Sequence, residues 1–147
     1  METIGKYTVM LVVAACLIIL SYWLKSDYLA SFFADNAILL GGAIFSIHAA
    51  SVGILMSQLV ILKQREHIDF SSTIRGIRHS LKEALLWLAI SVTGAVVQRG
   101  LEQNDCPLLA IPYINEVCLL LVVFSIIALL AIVLDTVNAI LMCLEHN

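Results

Sequence analysis

Charge is what this sequence has least of. Only 13% of its 147 residues are Asp, Glu, Lys or Arg, and 61% are hydrophobic. A soluble domain carries about 25% charged residues. The shortfall excludes an ordinary water-facing surface and fits a helix bundle that faces lipid. The formal net charge is −3, so no basic excess points to direct nucleic-acid binding. Two prolines and seven glycines leave no room for long linkers. No low-complexity segment or internal repeat is visible, and the chain reads as one domain.

The cysteines exclude a second class. Cys16, Cys106, Cys118 and Cys143 are scattered, with no CxxC pair. Two lie in apolar spans, where a small buried thiol is the ordinary reading. A four-helix thiol oxidoreductase needs cysteine pairs in one loop or near a quinone. No Ser-His-Asp arrangement, Walker loop or pair of catalytic carboxylates occurs, so the chain is not expected to be an enzyme. No metal or other cofactor is expected either, because no second ligand stands at suitable spacing from His48.

What the chain has is long apolar runs. Residues 37–62, AILLGGAIFSIHAASVGILMSQLVIL, carry no formal charge. They make about 39 Å of helix, enough to span a bilayer with tilt. Gly42, Ser46 and Ala50 form one small-residue row; Ala49, Gly53 and Ser57 form another. Such rows allow close helix packing in lipid, within or between subunits. This second span is the expected packing and polar spine.

Three further spans are expected at 8–24, 83–99 and 114–143. The first is read as an uncleaved helix, since no A-x-A-like site follows it. Tyr22 and Trp23 anchor it at an interface. Residues 25–36 form a loop, and Asp35 and Asn36 are placed as an N-cap for the second span. The third span is short, so Lys82 and Arg99 are expected to snorkel at its ends.

Residues 63–82 are the polar stretch. They hold Lys63, Arg65, Arg75, Arg78 and Lys82, five of the eight basic residues. Ile74, Ile77, Leu81 and Leu85 recur at helical spacing, and Arg75, Arg78 and Lys82 share another face. The pattern predicts a basic amphipathic cytoplasmic helix leading into the third span. The fold class is therefore all-α, an integral membrane protein with four transmembrane helices. The positive-inside rule puts both termini and this loop in the cytoplasm.

Four intramembrane polar residues are candidates: His48 near the middle of its span, Gln58 towards one end, and Asp135 and Asn138 near the end of the last helix. His48 is either a gate, proton site or inter-helix contact, or a neutral imidazole bonded to Ser, Thr or Asn on a neighbouring helix. Asp135 is either an ion-coordinating group or the partner of Lys63, Arg65 or Lys82. The Arg75/Arg78/Lys82 face meets anionic lipid, an acidic cytosolic protein or solvent.

This layout resembles the small four-span membrane proteins of antiphage exclusion. They include the membrane component of the lambda Rex system (RexB) and that of the Kiwa system (KwaA). The likeness runs from Leu40-Gly41-Gly42 through Leu62, then the basic loop and the short third span. It implies a membrane-embedded homo-oligomer, with a tetramer one candidate. It also implies a cytosolic protein partner in defence, the membrane subunit sensing infection or depolarising the membrane. A small transporter and a non-catalytic assembly subunit are the alternatives. A multidrug transporter of this size needs a carboxylate in its first helix, and residues 8–24 have none.

Overall fold

A computed structural model of the chain describes residues 2–24, 28–66, 71–103 and 114–145, and side chains within 5–24, 28–33, 35–61, 71–100 and 114–141. The described residues form four helices: α1 (Glu2–Trp23), α2 (Tyr28–Glu66), α3 (Ser71–Gln103) and α4 (Ile114–Glu145). Each holds a segment long and apolar enough to cross a membrane: Gly5–Trp23, Asp35–Ile61, Ser71–Gly100 and Ile114–Leu141. Length and composition thus suit all four helices to a multi-pass membrane protein.

One element begins earlier than the sequence suggests. Helix α2 starts at Tyr28, so residues 28–36 are helix rather than loop. Asn36 is not a cap: its Nδ2 donates to the Phe32 carbonyl at 2.9 Å, one turn back. Asp35 is not a cap either, and instead takes Arg99 Nη2 at 2.9 Å. The run of Tyr28, Phe32 and Phe33, stacked and edge-on at 5.9 and 5.5 Å, supports the added turns. Helix α3 is continuous from Ser71 to Gln103.

Successive helices run antiparallel. Gly41 on α2 meets Leu88 of α3, and Asp35 meets Arg99. Gly94 on α3 meets Val122 and Cys118 of α4, and Trp87 meets Phe124. Helix α1 docks by Ala14 against Leu119 and Val123, and by Lys6 against Asp135. Helices α2, α3 and α4 form a tight triad, and α1 lies mainly against α4.

The packing spine is α4, not α2. It touches all three other helices and buries Leu119, Val122, Val123, Ile126, Ala128, Leu129 and Ile132. Helix α2 contributes one buried stripe: Ala37, Gly41, Ile44, His48, Leu55 and Leu59. Those positions follow 3.6-residue periodicity. Two glycines set the approach distances. A Cβ on Gly94 would stand 2.7 Å from Val122 Cγ2, and one on Gly41 would stand 3.0 Å from Leu88 Cδ1. Lipid supplies no hydrophobic drive between helices, so such contacts carry much of the association.

Candidate functional site

His48 is the chemical centre of the triad. It is 0% exposed, and helices α3 and α4 supply a hydroxyl to each ring nitrogen. Thr136 Oγ1 lies 3.3 Å from Nδ1, and Ser80 Oγ lies 3.4 Å from Nε2. Thr136 also donates to the Ile132 carbonyl at 2.9 Å. A hydroxyl has a single proton. With that proton on Ile132, Thr136 accepts from Nδ1–H, and Ser80 donates to Nε2. One ring proton satisfies the set. Both contacts exceed the usual 2.7–3.2 Å, so each is weak.

His48 stands at the midpoint of the apolar segment Asp35–Ile61 of α2. Its partner Thr136 follows Asp135, and Asp135 is ion-paired with Lys6 of α1. A second ion pair, Arg99–Asp35, lies about 20 Å of helical rise from His48 along α2.

A groove of about 310 Å³ opens beside it, walled by Val52, Leu55, Ile77 and Ala139. Thr73, Ser80, Asp135 and Thr136 are its polar members. Both residues that hold His48 thus also line a groove open to the outside.

The sequence points to other partners for Asp135. Lys82 is exposed and makes no ion pair among the described residues, and the side chains of Lys63 and Arg65 lie outside the described residues. The partner is Lys6, from a helix whose apolar run gives no hint of it. Gln58 and Asn138 are both exposed and join neither His48 nor the groove.

The small-residue rows of α2 face away from the chain's own core. Ser46, Ala49, Ala50, Gly53 and Ser57 are exposed, and Gly42 is half-buried. No atom lies within 4 Å of a Cβ built on Gly42 or Gly53. Ser46 and Ser57 donate to the carbonyls of Gly42 and Ile54, at 2.8 and 2.7 Å. Their hydroxyls are thus satisfied inside the helix. Within the chain, close packing uses Gly41 and Gly94 instead. The Ser91, Gly94, Ala95, Gln98 pattern, at helical spacing, is the signal that points to α3.

Arg75, Arg78 and Lys82 are exposed, and Ile74, Ile77 and Leu81 are half-buried. Cys118 is buried and Cys16 exposed; Cys106 and the Cys143 side chain lie outside the described residues, as do both prolines. Among the described residues, no three of His, Cys, Asp and Glu cluster in a way that could hold a metal ion.

The chain matches no family model, no curated protein and no solved structure.

Proposed function

We propose that this chain is a non-catalytic, self-associating membrane subunit that senses or gates together with a cytosolic partner. The observation that carries the reading is the small-residue face of α2. It is turned outwards and used by nothing inside the chain, and such faces are how helices approach closely in lipid. Arg75, Arg78 and Lys82 form a second outward row. With the middle loop cytoplasmic by the positive-inside rule, that row faces an acidic partner. The resemblance of layout to antiphage exclusion components supplies the biological setting, a bacterial inner membrane with both termini in the cytoplasm.

Charge reversal at Arg75 and Arg78 tests the partner half. Co-purification of a soluble protein should be lost while membrane insertion persists, because Lys63, Arg65 and Lys82 still hold the orientation. Binding should also weaken as salt rises. Equal recovery with and without the reversal, at low and high salt, contradicts docking on this face.

One observation favours a small-solute transporter as second reading. Asp135, a carboxylate on α4 rather than on the first helix, lines the groove beside His48. Uptake of a solute that depends on Asp135 and not on Arg75 or Arg78 would select it.

A further inference from the structure

The buried face of α3 carries a row of polar groups that the His48 cluster does not use up. Ser80, Trp87, Ser91 and Gln98 follow at helical spacing along one face. From Ser80 to Gln98 the rise is about 27 Å, nearly the hydrocarbon thickness. Ser91 and Gln98 are each 0% exposed. Trp87 Nε1, Ser91 Oγ and both amide atoms of Gln98 are buried and have no partner among the described residues.

A buried polar group left without a partner destabilises the fold. Alanine or leucine at these positions would avoid that cost. Four such atoms on one face therefore call for a small partner that both donates and accepts, and water has that chemistry. One end of the row is open: Ser80 lines the groove and meets His48 Nε2. At the other end Gln98 is buried, one residue before Arg99, whose exposed side chain pairs with exposed Asp35.

We infer that this face is a water-filled proton path through a single chain, from Gln98 to the groove at Ser80, with His48 as a side group at the groove mouth, which deepens the gating half of the reading above. Ser80 and Thr136 both line that groove, so the ring exchanges protons with it through either hydroxyl. The charged or titratable residues nearest in sequence to those two hydroxyls are Asp135 on α4, paired with Lys6 of α1, and Arg78, His79, Lys82 and Glu83 on α3. In this conformation the path is closed. Leu88 packs at Gly41 and Val122 at Gly94, and apolar constrictions of this kind block conduction by excluding water.

The test uses the full chain in vesicles of phosphatidylethanolamine and phosphatidylglycerol, with an internal pH dye and a potassium diffusion potential. Leu88→Ala and Val122→Ala should each raise proton flux, by about tenfold or more over the parent chain, without release of a trapped anionic dye. Adding Gln98→Leu should return the flux to the parent level. The fraction of conducting vesicles should rise with the first power of the protein-to-lipid ratio. No flux above empty vesicles from either opened variant, with its melting transition intact, overturns the inference. So does flux that survives Gln98→Leu. A second- or higher-power dependence places the path between copies, which overturns this inference and leaves the self-associating subunit standing.

Discussion

Lys6 and Asp135, 129 residues apart in sequence, pair across the α1–α4 interface, and the next residue, Thr136, holds Nδ1 of His48. The loosest helix of the bundle is thus tied beside its most buried ionisable group. Helix α1 is otherwise held by Met10, Ala14 and the Tyr7–Trp87 ring contact at 6.0 Å.

Lys6→Gln should therefore free the start of α1 with little loss of global stability. The pair is partly exposed, and such pairs contribute about 0–1 kcal/mol. Hydrogen exchange should quicken over residues 2–10 and stay unchanged in α2 to α4. Uniformly faster exchange would show that the pair secures the whole bundle.

Gly94→Ala and Gly53→Ala should differ sharply. The first puts a methyl 2.7 Å from Val122 Cγ2, an overpacking of about 1–3 kcal/mol. Adding Val122→Ala should recover part of it. The second meets nothing within the chain and should leave the protomer's denaturation midpoint unmoved. Equal midpoints for both variants would contradict the α3–α4 packing.

Thr136→Val keeps the side chain's shape and removes a hydroxyl from His48. Inter-helix hydrogen bonds in membranes average about 0.6 kcal/mol, so the loss should be small, and Ser80→Ala should cost a similar amount. Measuring both singles and the double in a denaturation series checks whether they act on the same ring. Strict additivity would argue against a shared imidazole.

Orientation is read by reporter fusions. Fusions at His67 and Asn147 should report cytoplasm, and one at Asn104 the outside. A periplasmic signal from His67 would overturn both the orientation and the partner reading.

Hydropathy alone finds four helices, because runs as apolar as 117–134 have no other use at this length. It cannot tell which face of α2 turns inwards. On a helix apolar all round there is no polar contrast, and Gly41 and Gly42 look alike. The structure buries Gly41 against Leu88 and leaves Gly42 without a contact of that kind. His48 stands out in the sequence by its chemistry. Its partners Ser80 and Thr136 do not, since a hydroxyl near a helix end is commonplace. Lys6 as partner of Asp135 is equally hidden, because no local pattern records a contact between the first helix and the last. Asp35 and Asn36 mislead for the opposite reason: they are cap-forming types, but the aromatic contacts upstream carry the helix past them.

The most direct measurement is the native mass of the chain in lipid nanodiscs or mild detergent, parent against Gly53→Leu. The account predicts a multiple of the 16.1 kDa chain for the parent. It predicts a single-chain mass for the variant, with a denaturation midpoint lowered towards that of the dissociated parent. A parent that already runs as one chain, or a variant that keeps the parent's mass, would contradict self-association through the outward face of α2.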